Sequence, residues 1–258
     1  MDAEINALVD ELRKNPGAAV LTGAGISTDS GIPDYRSQGG LWERYRPVSF
    51  RDFLNCEASR AEYWRRKKDF YTVLIRAQPS PAHLALTHLQ SLGYIRTVIT
   101  QNIDGLHQLA GTHHVLEIHG TARVIVCLGC AQEFDFESVL PLLRDDRAAP
   151  RCPDCGDLLK PDTVSFGQAL DPEKLHLAVR AVQSCRLLIC AGTSLAVEPA
   201  ASLPHYALRA GARVVILNRD ATPLDGLAHR FSRGELSPLF KALEEALSRA
   251  HRPRKPML

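Results

Sequence analysis

The sequence predicts an α/β protein, a doubly wound and mostly parallel sheet that carries a small inserted metal-binding module. Three observations predict it. A short apolar run near the N-terminus ends in a glycine turn; strand-like apolar runs then alternate with amphipathic helical stretches; and in one central segment that alternation stops and two close cysteine pairs appear.

Ile5, Leu8, Val9 and Leu12 recur at helical spacing, and Pro16-Gly17 stops that first helix. The run Ala18–Leu21 leads straight into Thr22-Gly23-Ala24-Gly25, a buried strand followed by a glycine turn, which is how a Rossmann-like nucleotide-binding unit opens. Further strands are expected at Ile95–Thr100, Val115–Ile118, Arg123–Val126, Leu187–Ala191 and Val214–Leu217. Helices are expected at Arg60–Arg76, Ala82–Leu92, Pro172–Ser184, Pro199–Ala210 and Pro238–Arg249. Between about Thr121 and Lys160 the rhythm stops, and Asp145–Pro150 reads as a linker. Residues 1–120 and 161–250 are therefore expected to form the nucleotide-binding body and 121–160 an inserted module, with 251–258 a basic, proline-broken tail.

Composition narrows the class. With 31 Lys plus Arg against 29 Asp plus Glu, the net charge of +2 argues against a protein built chiefly to bind nucleic acid or a membrane surface. No apolar run approaches the roughly 20 residues that span a bilayer. The N-terminal stretch carries Asp2 and Glu4 and no long apolar core, so it reads neither as a secretory signal nor as an acid-poor transit peptide. A soluble protein in a reducing, cytoplasmic setting is expected. A chain of 258 residues buries roughly 70–75% of its unfolded surface and needs no disulfide staples. Its seven cysteines therefore call for another explanation.

Cys127-x2-Cys130, 21 residues, and then Cys152-x2-Cys155 place four thiolates on two knuckle-like turns, the usual supply for tetrahedral zinc. Gly129, Pro153 and Gly156 suit those turns. Because all four ligands are cysteine, no coordination position remains for water or substrate, and the zinc is expected to be structural. Cys56, Cys185 and Cys190 lack such partners and read as small buried apolar residues.

Other motifs fall where strands end. Gly23-x-Gly25 followed by Ile26-Ser27-Thr28 matches part of the dinucleotide fingerprint, with Thr28 in place of its third glycine; taken alone, it fits a diphosphate cradle or a plain tight turn. The loop Ser30–Trp42 interleaves Gly and Pro with charged and aromatic residues, as a lid or an ordinary surface loop does; within it Arg36 suits a phosphate and Tyr35 a flat ring. Gln101, Asn102 and Asp104 follow one strand and offer donors and acceptors suited to ribose hydroxyls and a carboxamide. His119, before Gly120 at another strand end, is placed for general-base work or for a structural role. Gly192-Thr193-Ser194 and Asn218-Arg219-Asp220 follow two further strands, and Asn218 or Asp220 suits an adenosine ribose.

Taken together, the segments Gly23–Arg36, Thr100–His107, His119-Gly120, the four cysteines, Lys160–Gly167, Gly192–Leu195 and Leu217-Asn218 resemble the sirtuins, NAD-dependent protein-lysine deacylases. The resemblance runs in order from about residue 15 to 245. Pro33-Asp34-Tyr35-Arg36 and Arg233-Gly234-Glu235-Leu236 are similar to the branch with the mitochondrial lipoamidase-like and bacterial sirtuins. It implies a large Rossmann-like domain and a smaller zinc module, with NAD and an acyl-lysine peptide meeting between them. By that resemblance Gly23, Ala24, Gly25, Asp34, Tyr35 and Arg36 belong to the NAD-binding turn and lid. Gln101, Asn102, Ile103 and Asp104 line the ribose and nicotinamide pocket, with Asn102 taking part in catalysis. Gly192, Thr193, Ser194, Asn218, Arg219, Asp220 and Arg233 surround the adenosine half. His119 is implied as the general base on the ribose hydroxyls, and free lysine, nicotinamide and O-acyl-ADP-ribose as products. Val164 and Phe166 would line the acyl tunnel, and Val164–Gly167 would pair with the peptide backbone.

Three departures concern the acyl group. Ser165 stands where the family more often has a bulky residue, and Gln168 where an acidic one is usual. The desuccinylating branch pairs a tyrosine with an arginine three residues on; here Tyr71 is followed at that spacing by Leu74, so weak activity on succinyl-lysine is expected. Other readings are a protein ADP-ribosyltransferase using the same NAD site and a zinc-ribbon nucleic-acid binder, the latter opposed by the charge balance. An NAD-dependent dehydrogenase is disfavoured because no acidic residue ends a second strand at the expected distance.

Overall fold

The structure is a computed structural model that describes residues 2–34, 46–143 and 149–251. Tyr35 and Arg36 of the lid, part of the expected linker and the residues after His251 lie outside the described residues. Among those described, no helix is long and apolar enough to cross a membrane.

The strands in chain order are β1 (Ala18–Thr22), β2 (Ile95–Thr100), β3 (Val115–Glu117), β4 (Gly120–Cys127), β5 (Glu133–Asp135), β6 (Leu159–Thr163), β7 (Leu187–Ala191), β8 (Arg213–Leu217) and β9 (Arg230–Ser232). Six of them form an all-parallel sheet in the order β3-β2-β1-β7-β8-β9. With the three strands of the second sheet set aside, this is the doubly wound 3-2-1-4-5-6 order, which reverses direction between β1 and β7. Ligands of such sheets settle outside the strand ends at that reversal.

Both faces of the sheet are covered, which is why β1 and β7 read as unbroken apolar runs and are buried along their whole length. Alternate residues go to opposite cores. Val20, Val98, Ile189 and Val215 meet Ile5, Leu8 and Leu12 of the first helix, Leu86 and Leu89, and Phe240 and Leu243 of the last helix. Leu21, Ile99, Leu188 and Ile216 meet Ala178, Val182 and Leu203 on the other side.

Helix ends follow local chemistry. Ser80 accepts from the His83 amide and opens helix Pro81–Ser91, with Pro81 at the position where a missing N–H costs nothing. Asp171 caps helix Pro172–Ser184 in the same way. The expected helix Pro199–Ala210 is a 3-10 turn, Ala200–Ser202, followed by helix Leu203–Arg209, and the last helix runs Leu236–His251.

The expected strand Arg123–Val126 proves to be part of β4 in a separate antiparallel sheet, ordered β5-β4-β6. The β6 strand contains Pro161, which an edge strand tolerates because it lacks a ladder donor there. A third core joins this sheet to helix Glu57–Leu74: Phe53, Trp64, Tyr71 and Leu74 pack with Ile125, Phe136 and Val139, and the Trp64 indole N–H donates to the Leu159 carbonyl at 3.2 Å. Cys190 is buried as expected, whereas Cys185 is half-buried and Cys56 is exposed, just before helix Glu57–Leu74.

Candidate NAD and acyl-lysine site

At the sheet reversal the turns after β1 and β7 interlock. Gly23 N–H donates to Ala191 O at 3.1 Å and Gly25 N–H to Gly192 O at 2.9 Å. A Cβ on Gly25 would sit 2.8 Å from Gly192 Cα, so the two backbones approach only because both residues are glycine. The glycine turn is thus fastened to a second strand end by backbone hydrogen bonds.

Beside it, the end of β2 holds a chain of buried polar groups. Asn102 is 8% exposed, and its side-chain amide donates to Gly23 O at 3.2 Å and to Ser27 Oγ at 3.0 Å. Ser27 gives its own proton to Asp104 Oδ2 at 2.7 Å, so it must accept from Asn102. That order orients the Asn102 amide and leaves Oδ1 free to accept. Asp104 also accepts from the Leu106 N–H at 2.9 Å. Burial raises its pKa, while the Leu106 amide, Ser27 and Arg123 pull the other way. Gln101 Nε2 reaches across to Thr193 Oγ1 at 2.8 Å, and the carbonyl of Ile103 accepts from Ala122 N–H at 2.8 Å.

His119 follows β3. Its Nδ1 lies 3.0 Å from the Gln101 carbonyl, an obligate acceptor, so Nδ1 carries the proton and Nε2 presents a lone pair. Burial lowers its pKa from 6.5, and the Gln101 carbonyl opposes that shift; the imidazole is neutral at pH 7. Its carbonyl accepts from Val164 N–H at 2.9 Å, which brings the segment after β6 alongside it. Phe166 is 49% exposed and its carbonyl accepts from Phe50 N–H at 2.8 Å; Gly167 beyond it is also exposed.

On the far side of the reversal, Gly192, Thr193 and Ser194 follow β7, and Asn218 follows β8 with its N–H on Ser232 O at 3.1 Å. Arg219 approaches Asp34 at 4.0 Å and Asp220 at 3.8 Å. Arg233 donates to the carbonyls of Asn218 and Asp220 and pairs with Asp225. It fastens the loop after β8.

In the small sheet the four cysteine Sγ atoms lie within 4.8 Å of one another. The Cys127–Cys155 and Cys130–Cys152 pairs are 3.4 and 3.8 Å apart, against about 3.8 Å for two thiolates on one tetrahedral zinc. The Cys130 amide leads the groups that bring the Cys127 thiol down to about 7. Geometry and donor chemistry both fit zinc.

Three groups escape a motif reading. Thr22 and Thr100 share a hydrogen bond at 2.9 Å, and Thr22 meets His107 Nε2 at 2.9 Å beneath Asn102, whose N–H is held by Thr100 Oγ1 at 3.1 Å. Arg123 Nε donates to Asp104 O at 2.8 Å from β4. Tyr71 stacks on Phe136 with ring centres 3.7 Å apart and bonds Glu137, while Leu74 is wholly buried. The Tyr71–Leu74 spacing thus belongs to the packing of the small sheet. A polar threonine at the end of an apolar strand is the one signal that pointed to the first group.

Comparison with known proteins agrees with this geometry. A profile of the Sir2 family matches residues 23–199. An NAD-dependent protein deacetylase of Thermodesulfovibrio yellowstonii is 40% identical over 225 residues, 87% of this chain and 88% of that protein. NAD-dependent protein deacylase 1 of Archaeoglobus fulgidus is 38% identical over 255 residues, covering 93% and 98%. Among solved structures, a Sir2 complex with p53 peptide and NAD+ superposes with a TM-score of 0.86 at 34% identity, over 94% of this chain and 98% of that one. With a doubly wound sheet, a four-cysteine cluster and a profile match spanning well over half its length, the chain belongs to the Sir2 family.

Proposed function

We propose that this chain is an NAD-dependent protein-lysine deacylase, converting acyl-lysine, NAD and water to lysine, nicotinamide and O-acyl-ADP-ribose. His119 carries the reading: a neutral imidazole whose Nδ1 proton is committed to a backbone carbonyl and whose Nε2 is free, beside the sheet reversal and next to Val164. The names of the relatives support it.

In this reading the turn Gly23, Ala24 and Gly25 lies against the diphosphate, covered by Asp34, Tyr35 and Arg36; the Gly23 and Gly25 amides hold the turn to Ala191 and Gly192, and the Ala24 amide faces the ligand. Gln101, Asn102, Ile103 and Asp104 face the ribose and nicotinamide, with the free Asn102 Oδ1 accepting from a ribose hydroxyl. Gly192, Thr193, Ser194, Asn218, Arg219 and Asp220 take the adenosine half, and Arg233 holds their loop. When bound, NAD supplies an electrophilic ribose carbon and a leaving nicotinamide. His119 Nε2 takes the proton from a ribose hydroxyl. Val164, Phe166 and Gly167 receive the peptide, largely through backbone. Cys127, Cys130, Cys152 and Cys155 hold a structural zinc within the module 121–160, and the free thiols suit a reducing cytoplasm.

The test is nicotinamide release from NAD with peptides carrying acetyl-, longer-chain or lipoyl-lysine. Release that requires an acylated peptide and yields an acylated ADP-ribose is expected. Label from radioactive NAD ending on protein, with no acylated small product, would instead indicate ADP-ribosyl transfer.

A further inference from the structure

Thr22 closes β1 and Thr100 closes β2, side by side in the parallel register, and both are buried. The Thr22 hydroxyl donates to Thr100 Oγ1 at 2.9 Å. A hydroxyl has one proton to give, so in the 2.9 Å contact between Thr22 Oγ1 and His107 Nε2 the ring is the donor. Burial, helped by the His83 ring set edge-on with ring centres 4.6 Å apart, holds the His107 pKa well below 6.5. The imidazole is therefore neutral, with its single proton on Nε2. Its Nδ1 is buried and makes no hydrogen bond among the described residues.

Thr100 Oγ1 also accepts from the Asn102 N–H at 3.1 Å. That N–H shares one planar peptide group with the carbonyl of Gln101, and it is this carbonyl to which His119 Nδ1 donates at 3.0 Å. The two bonds leave opposite edges of the plane, so a rotation that breaks one turns the other away. The preceding peptide is tied to β1 as well, Gln101 N–H donating to Thr22 O at 3.0 Å. An unbroken run of hydrogen bonds thus leads from His107 through Thr22, Thr100 and the Gln101–Asn102 peptide to His119. The Asn102 side chain is anchored separately, on Gly23 O and Ser27 Oγ, so what the run itself fixes is the peptide plane.

We infer that His107 is a positioning residue for the general base: through Thr22 and Thr100 it sets the Gln101–Asn102 peptide plane, which aims the free Nε2 of His119. His107 is itself wholly buried and acts only through these neighbours. This rests on the deacylase reading above. It also accounts for a threonine following apolar Leu21 in β1 and Ile99 in β2, where valine would fill the same space and leave the plane without its anchor.

The experiment measures kcat and KM with NAD and an acetylated peptide for Thr22→Val, Thr22→Ser, His107→Leu and His107→Gln, each alone and combined with His119→Ala. Thr22→Val and His107→Leu should lower kcat about 3–10-fold, the range for one neutral hydrogen bond, with KM for NAD kept within about twofold. Thr22→Ser keeps the hydroxyl and His107→Gln keeps a donor in place of Nε2, so both should stay within about twofold of the wild type. In chains lacking His119, Thr22→Val should change kcat by less than about twofold, because no base is left to aim. A role in folding alone would lower both series alike. Nitrogen NMR of the imidazoles gives a second readout, the His119 signal being the one lost in His119→Ala: Nδ1 protonated in the wild type, and a mixture of tautomers in Thr22→Val. If His107→Leu fails to fold, the nearly isosteric Thr22→Val carries the test. An unchanged kcat and tautomer in Thr22→Val, or an equal fall with and without His119, overturns the inference and leaves the deacylase reading standing. Failure of the wild type to turn over any acylated peptide overturns that reading and the inference with it.

Discussion

Replacing His83 by Asn should remove an acid-sensitive element from the core beneath the site. His83 is wholly buried; its Nδ1 lies 2.8 Å from Ser80 Oγ and 3.2 Å from the Ser80 N, and among the described residues Nε2 has no hydrogen-bond partner. Protonation would put a charge in the core, with no carboxylate among the described residues beside it to offset it. Burial lowers the pKa from 6.5 to about 4. Because the folded pKa is depressed, the unfolded chain binds the extra proton first, and the folded state loses stability as pH falls from 6.5 toward 4. At about 1.4 kcal/mol per pH unit, the wild type should lose about 2.5 kcal/mol between about pH 7.5 and about pH 4.5 through this residue. The assay is urea unfolding of wild type and His83→Asn across that range, read as the difference between the two chains. Zinc loss in acid occurs in both and cancels. Asn keeps an acceptor for the Ser80 amide, so any constant cost of the substitution drops out of the slope. Stability curves that run parallel down to about pH 4.5 would refute the assignment of a neutral, buried His83.

Three further outcomes are expected. His119→Ala should lower kcat/KM by about 10²–10⁴-fold, the range for a lost general base, while NAD affinity measured by calorimetry is largely kept; retained turnover would remove His119 from that role. Cys127→Ser should lose metal and fold together, read by metal analysis and thermal melting, since a closed thiolate site contributes folding energy; a stable, metal-free and fully active variant would contradict a structural zinc. Gly192→Ala places a Cβ 2.7 Å from Ile26 N at a residue whose φ is +64°. It should cost more than about 1 kcal/mol and weaken NAD binding; an unchanged melting temperature would show that the interlocked turns yield easily.

Much of the fold was legible because its signals are local. An unbroken apolar run before Gly23, another before Gly192, and helices punctuated by Ser80-Pro81 or Asp171-Pro172 each state their conformation within a few residues. Elements without such a local signature were missed. Strand β9 is three residues long with Phe231 exposed at the sheet edge, and β6 runs through Pro161, so neither shows an alternating or continuous apolar pattern. The short helix Phe50–Asn55 owes its start to Ser49 and its place to the single buried Phe53.

The site divides in the same way. Metal-ligand spacing and the residue types at strand ends are properties of the chain, and they were enough to single out the four cysteines, Asn102 and His119 before any contact was known. Which nitrogen of His119 is free, which way the Asn102 amide faces, and where Tyr71 and Tyr63 point depend on partners 18 to 100 residues away. Spacing along one helix could not tell Tyr71, stacked on Phe136, from Tyr63, set against Thr163. Proton positions are set by those long-range contacts, because a hydrogen bond acts over a few ångströms of space and carries no trace in the order of residues.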